Sequence, residues 1–346
     1  MDSVKTYDSM APLALPVPRR RRLTASACVA AALIAVLAIL PVLASLVGDS
    51  YYVTLVSRIL IYALAALGLN LVLGFGGMVS FGHALYIGVG AYAVGILSFY
   101  GVSNGYAHLG VALAATLVLA PLIGWVCLRA SGVAFIMITL AFGQMFYFLA
   151  ISLRQYGGDD GMGLTARSDF GLLKLDDNVT MYYVIFALLM ATLFAFHRLV
   201  HARFGMVLRG CKSNERRMKA LGIPTLRFKL IAYVISALVC VLAGVLLANL
   251  TRFVSPSYMQ WSVSGEILLM AVLGGAGTLI GPIVGAAVWL MLEAVLGSLR
   301  IGLPWQLDDF VRDHWMLLLG VFVVVVTLTL KAGLYGALVE REENRS

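Results

Sequence analysis

Charge is scarce in this 346-residue sequence, where Asp, Glu, Lys and Arg make up only 12 % of positions, about half the share of an average soluble domain. The shortage is uneven. No charged residue occurs between Arg58 and Arg129, a run of 70 positions. Further charge-free runs occupy 23–48, 130–153, 178–197, 230–251, 267–292 and 314–330. About 20 apolar residues cross the roughly 30 Å hydrocarbon layer of a membrane, whereas a soluble helix shows a polar face at every turn. These absences exclude soluble domains, a disordered chain and, for want of alternating polar positions, a β-barrel. Cysteine is sparse too: Cys28, Cys127, Cys211 and Cys240 form no CxxC pair and have no histidine at metal-ligand spacing. They read as unpaired thiols, which excludes a disulfide scaffold and gives no metal site. The motifs HExxH, GxSxG and GxxxxGK[ST] are missing as well. No enzyme is expected, and the chain has no phosphate loop with which to hydrolyse ATP. An energised function then needs a partner or an ion gradient.

What is present is apolar residues, at 61 %, and 35 glycines; in lipid, glycine lets helix backbones approach closely. Cutting the runs at charges and at Gly/Pro/Asn/Ser clusters predicts an all-α polytopic integral membrane protein of about ten crossings, some broken at glycines. The spans are 26–47, 51–73, 84–100, 107–127, 133–152, 180–199, 230–251, 264–280, 281–299 and 315–331. With the N-terminus inside, 18 of the 25 Lys and Arg residues fall on the cytoplasmic side, eight of them in one loop at 200–229. That is the positive-inside pattern. Both termini are then cytoplasmic, as a basic tail at 1–25 and a tail at 332–346 around a membrane domain at 26–331. The net charge of +8 reflects this asymmetry, and no nucleic-acid partner is expected. Arg19–Arg22 ahead of an apolar run also fits a signal peptide. The 26-residue run exceeds the usual core of about 7–15 residues, so an uncleaved first span is expected.

Three stretches carry candidate function. In the loop 200–229, Met206, Val207, Met218 and Leu221 are apolar among the basic residues, and Gly222 before Ile223 and Pro224 is a helix stop. Ser213 as N-cap would open a short amphipathic helix ending at Leu221. Such a helix suits docking into a groove of a soluble partner; a basic loop resting on anionic headgroups is the alternative. The second stretch, GFGGMVSFGHALYIGVGAY (74–92), holds Ser80 and His83 without a charge, and Gly74–Gly77 reads as a helix break. The third, 265–287, repeats the theme, with Gly274–Gly275 mirroring Gly76–Gly77, Gly281 mirroring Gly82, and Gly285–Ala286 mirroring Gly90–Ala91. Paired glycine-interrupted segments surround substrate paths in transporters, and tight helix packing is the alternative. The candidate path residues are Asn70, Gly76, Gly77, Ser80, His83, Gly274, Gly275 and Gly277.

Intramembrane charge is scarce: Arg58 is near a helix end, Glu266 is expected in the first turn of its span, and Glu293 about two turns from the outer end. Asn70, Ser80, His83, Gln144 and Asn249 read first as interhelical hydrogen-bonding residues. The outer loop 153–179, with Gly157–Gly161 as GGDDG, lacks the spacing of a calcium loop and is a possible docking surface.

The stretch GLNLVLGFGGMVSFGHALYIGVGAY (68–92) resembles the signature of the permease subunits of branched-chain amino acid ABC importers. GGDDG at 157–161 is similar to that family's outer-loop motif. Asn214-Glu215 through Ala220–Ile223, with Lys229 and YVISA at 233–237, is similar to its cytoplasmic coupling loop and following helix. VLGGAGTLIGP at 272–282 completes the likeness, which covers roughly 65–290 and is to the longer of the family's two permease types. The chain departs at Gln144, where the family often has Glu, and at Lys331–Leu334. The resemblance implies a permease that moves branched-chain amino acids, or a related small amino acid or amide, across the bacterial inner membrane. It implies two cytoplasmic ATPase subunits that use the ATP, a second similar permease, and an extracytoplasmic solute-binding protein; no cofactor is bound by this chain. The implied coupling residues are Arg209, Asn214, Glu215, Ala220, Leu221 and Gly222. An ion-coupled secondary transporter and a permease for urea or short amides are the alternatives.

Overall fold

The computed structural model of the chain describes residues 32, 34–41, 50–171, 175, 177–298, 315–330 and 333–337. The tail at 1–25 and most of the first expected span lie outside the described residues, as do Lys174, Arg300, Arg312 and most of 332–346.

After a helical stretch at 34–41, the described chain runs through ten helices. They are α1 (Ser50–Asn70), α2 (His83–Phe99), α3 (Gly105–Cys127), α4 (Val133–Ser152) and α5 (Asn178–His201). There follow α6 (Arg203–Ala220), α7 (Thr225–Thr251), α8 (Trp261–Gly274), α9 (Gly281–Ser298) and α10 (Trp315–Thr329). A bilayer offers no water to backbone N–H and C=O groups, so apolar runs must close their hydrogen bonds within themselves. Among the described residues, five helices are long and apolar enough to cross a membrane: α1 with its extension to Phe75, α3, α4, α5 and α7. The helices α2, α8, α9 and α10 are shorter apolar segments. The all-α, multi-pass reading holds.

Burial sorts these helices. The apolar window of α1 is 89 % buried and that of α7 67 %, against 22 % for α4 and 28 % for α3 and α5. The helices α1 and α7 therefore form a central pair. Around it, α5, α8 and α9 pack on α1, while α2 and α3 pack on α7. Leu117, Val118, Met137, Phe148 and Phe194 face outward from the peripheral helices, as lipid contact permits.

Side-chain-to-backbone bonds stitch the central pair, with Ser236 Oγ donating to the Gly68 carbonyl at 2.6 Å. The crossing of α2 with α7 is reciprocal. A Cβ on Gly90 would lie 2.3 Å from the Val241 carbonyl oxygen, and one on Gly244 would lie 2.0 Å from that of Ile87. Tight packing is thus what Gly90 does, and the same holds for Gly82 against Thr139 and for Gly285 against Met270.

The helix bounds follow the charge-free runs with three corrections. First, α7 begins at Thr225 and α5 ends at His201, because long straight charged side chains continue a helix beyond the bilayer. Second, the predicted loop 200–229 is mostly helix, α6. Third, Glu266 lies in the second turn of α8, not the first. Glu293 finds a partner in Arg58, at 3.7 Å, which ties α9 to α1.

The outer loop is pinned from several sides. Its strand β1 (Met162–Gly163) pairs antiparallel with β2 (Phe253–Val254) after α7. Arg167, 8 % exposed, donates to the Asn249 carbonyl at 3.0 Å, the Leu175 carbonyl at 2.6 Å and Asn178 Oδ1 at 2.7 Å. Asn249 Oδ1 accepts from the Ser168 amide at 2.7 Å, and Ser168 Oγ meets His108 Nδ1 at 2.6 Å. The GGDDG segment is a tight turn in which Gly157, Gly158 and Gly161 all take positive φ, leaving Asp159 and Asp160 exposed.

Candidate functional site

One end of the bundle brings together the basic segment and the glycine turns of both glycine-rich stretches. Helix α6 bends at Asn214, whose backbone is extended (φ −156°, ψ 97°). Its Oδ1 accepts from the Arg217 amide at 3.0 Å, the bond an N-cap makes. The cap of the second half of α6 is therefore Asn214, one residue beyond the expected Ser213. The segment stops where expected. Gly222 (φ +78°) takes the left-handed turn, with the Gly222 amide on the Lys219 carbonyl and the Ile223 amide on that of Met218, a Schellman closure. Between cap and stop, Arg216, Arg217, Lys219, Ala220 and Leu221 are exposed, Leu221 at 69 %.

This lobe is rooted by Glu215. Its carboxylate accepts from the ammonium of Lys229 on α7, from Lys219 at 2.9 Å and from Thr225 Oγ1 at 3.3 Å. Partial burial pushes this carboxyl up, but the two ammonium groups outweigh it and hold its pKa at about 2. Arg209 faces the other way. Its guanidinium donates to the Val200 carbonyl at 3.2 Å and the Gly205 carbonyl at 3.4 Å, closing the end of α5, where a cation is favoured. Cys211 is a buried free thiol, and burial pushes its pKa up.

The first glycine stretch begins with a change of helix type. Past Asn70, α1 widens into a π-turn over Leu71–Phe75 and stops at Gly76, so the expected break is the widened end of a helix. Asn70 is fully buried. Its Oδ1 accepts from the Gly277 amide at 2.9 Å, and its Nδ2 donates to the Thr278 carbonyl at 2.7 Å. The two stretches related by the sequence repeat thus touch. Glycine is required at the contact, since a Cβ on Gly74 would lie 2.2 Å from Asn70 Oδ1 and 2.3 Å from the Gly277 nitrogen.

Other expected path residues lie elsewhere. Gly76 and Gly77 line a cavity of about 710 Å³ whose walls include Arg129, Lys212, Glu215, Arg216, Lys219 and Lys229. Gly274 and Gly275 are buried where α8 meets α9, and Gly277 is half-buried at the Asn70 clamp. Ser80 and His83 are buried together at the start of α2, with Ser80 Oγ 2.9 Å from His83 Nδ1. His83 also packs edge-on against Tyr86 and Tyr233, and among the described residues its Nε2 has no hydrogen-bond partner. Asn70 and Asn249 do hydrogen-bond, but to loop backbone and, for Asn249, to its own helix, whereas Gln144 Nε2 is buried without a partner among the described residues. Sequence reasoning missed Lys212, which donates from Nζ to the Gly74 carbonyl at 2.7 Å. It was one basic residue among eight, and a contact across 138 positions leaves no periodic signal.

Comparison with known proteins bears on this arrangement. The family model described as the permease component of branched-chain amino acid transport systems matches residues 51–327. The high-affinity branched-chain amino acid transport system permease protein LivM of Escherichia coli (strain K12) is 29 % identical over 299 residues, covering 80 % of this chain and 68 % of LivM. A probable LivM of Methanocaldococcus jannaschii is 25 % identical, covering 82 % of this chain and 93 % of its own. The autoinducer 2 import system permease protein LsrC of Salmonella typhi is 28 % identical, covering 85 % and 84 %. No solved structure gives a significant match.

Proposed function

The chain belongs to the family of branched-chain amino acid transport system permeases, and from that premise we propose that it is the membrane-spanning permease subunit of an ATP-binding-cassette importer. It is a transport protein rather than an enzyme. In this reading two cytoplasmic ATPase subunits dock on the exposed end of α6 and use the ATP, and this chain binds no cofactor. A second permease of the same family completes the path. An extracytoplasmic solute-binding protein delivers the cargo to the outer face. The protein crosses a bacterial inner membrane ten times, with both termini in the cytoplasm.

The observation that carries this reading is the end of α6. An apolar tip, Leu221, stands exposed between a side-chain cap and a glycine stop, ringed by Arg216, Arg217 and Lys219. A basic, apolar-tipped helix fits an apolar groove with an acidic rim. Its root on α7 through Glu215 and Lys229 gives a force at the tip a route into the bundle.

The cargo we propose is a branched-chain amino acid, as the names of the LivM relatives suggest. LsrC, named for a different solute, is similar to this chain at nearly the same identity, so selectivity is assigned to the binding protein. The test is purification of the tagged protein from its native membrane, then reconstitution and uptake of labelled leucine. Recovery with a phosphate-loop ATPase and a second permease, and uptake that needs ATP, is the expected result. Recovery alone, with uptake driven by an ion gradient, would overturn it.

A further inference from the structure

The route from docking lobe to glycine loops has one residue with no role so far. Lys212 sits on α6 two positions before the bend at Asn214. Its ammonium bonds to the Gly74 carbonyl at 2.7 Å, in the π-turn that ends α1. Its stem lies across Gly77, where a Cβ would come within 2.8 Å of Lys212 Cγ. Gly77 also takes positive φ, at +68°, so the cradle for this side chain needs glycine twice over.

The Gly74 carbonyl is available for a reason. Were α1 to continue as an ordinary α-helix, this oxygen would accept from the amide of Met78, four residues on. That amide bonds instead to the Val72 carbonyl at 3.0 Å, while the Gly76 amide reaches back to Leu71 at 3.1 Å. The helix end therefore leaves an acceptor open, and Lys212 fills it. One turn earlier on the same helix, Asn70 holds Gly277 and Thr278 of the second glycine loop. Hydrogen bonds one turn apart on the end of α1 thus join α6 to one glycine stretch and that stretch to the other.

We propose that Lys212 is the positioning residue that couples α6 to the path. When a partner moves α6, Lys212 carries the Gly74 carbonyl with it, and through Asn70 it displaces the Gly277–Thr278 loop. Release of the carbonyl lets the π-turn relax towards an α-turn, which rotates Asn70 off its partners; π-turns are frequent at functional sites. This inference rests on the reading of the chain as an importer subunit.

The experiment uses the whole importer, with both permeases, the ATPases and the binding protein, in proteoliposomes. It reads labelled leucine accumulated per ATP hydrolysed. Lys212→Met keeps the stem over Gly77 and removes the donor. The expected result is continued ATP hydrolysis with uptake per ATP lower by about tenfold, the scale of one charge-assisted hydrogen bond in an equilibrium. Lys212→Arg, which restores a donor, recovers most of the ratio, and Lys212→Gln falls between. A wild-type ratio in Lys212→Met would overturn the coupling role. Failure of both Lys212→Met and Lys212→Gln to assemble would overturn it as well, since Lys212 would then be a folding brace. A wild-type complex that accumulates leucine without hydrolysing ATP would instead remove the importer reading itself.

Discussion

Two polar networks cap this bundle, and they are built on opposite plans. The outer one converges. Arg167, buried beneath the loop, gathers the Asn249 carbonyl, the Leu175 carbonyl and Asn178, while Asn249 reaches on to Ser168 and Ser168 to His108. Removing any one bond leaves the others in place. The inner network is serial: Glu215 to Lys229, Lys212 to Gly74, and Asn70 to Gly277 and Thr278. Glu215 is itself a small hub with three donors, but the links from Lys212 to Gly74 and from Asn70 to the Gly277 loop are each one side chain wide and set beside a glycine. A convergent hub resists displacement, whereas a serial one passes it on. The contrast assigns bracing to the outer face and transmission to the inner.

The comparison breaks most visibly at Arg167. Arg167→Met strips a buried guanidinium from three acceptors, and unpaired buried polar groups cost about 1–3 kcal/mol each. A fall of several kcal/mol in stability is expected, read as earlier thermal aggregation of the detergent-solubilised protein. Glu215→Lys is the inner counterpart. It sets a third ammonium beside Lys219 and Lys229, so leucine uptake should fall to background while membrane insertion and thermal stability stay near wild type. Equal destabilisation by both variants would erase the distinction.

The pH dependence sharpens the contrast. The folded Glu215 pKa of about 2 lies below its ordinary 4.5, so the carboxylate's contribution is complete above pH 4.5 and is lost only as pH falls through 2. Uptake should therefore show no transition from this group between pH 5 and 8. Glu215→Gln, fixed in the neutral form, should be impaired across that whole range. A smaller effect is expected of Asn214→Ala, which loses one cap worth about 1 kcal/mol. Weaker co-purification of the ATPase without loss of the permease would report it. Last, sidedness separates the networks without perturbing either. A cysteine at exposed Asp160 should react with an impermeant thiol reagent in intact cells, and one at exposed Ser213 should not. Native Cys211 is unsuitable as the inner control, because it is 4 % exposed and stays silent from either side.

What the sequence made legible is what repeats or breaks locally. The span 133–152, cut from the charge-free run 130–153, matched α4 to the residue, and Gly222 before Pro224 marked the end of α6. The glycine stretches were visible as an imperfect repeat, and Asn70 and Gly277 as candidates within it. Their contact was not, since 207 positions separate them and no periodicity links residues that far apart. Charge also misled. Cutting spans at Lys and Arg measures the bilayer, not the helix, so the first part of α6, Arg203–Lys212, passed for a loop although long basic side chains are good helix formers. The choice between Ser213 and Asn214 as cap turned on one backbone angle, which neither side chain announces.

The burial of Asn70 has a consequence for how this protein is made. Its amide is satisfied by Gly277 and Thr278, which leave the ribosome long after α1 has entered the membrane. At synthesis rates of about 5–20 residues per second, the 207-residue interval lasts roughly 10–40 s. Throughout that time the most enclosed helix of the finished bundle carries an unmatched carboxamide in or beside lipid. Until the second half of the chain arrives, α1 is thus held by the insertion machinery, by water at the inner interface or by a membrane chaperone. A nascent chain stalled before residue 277 should remain cross-linkable to that machinery through a probe at Asn70, and one stalled well beyond 278 should not.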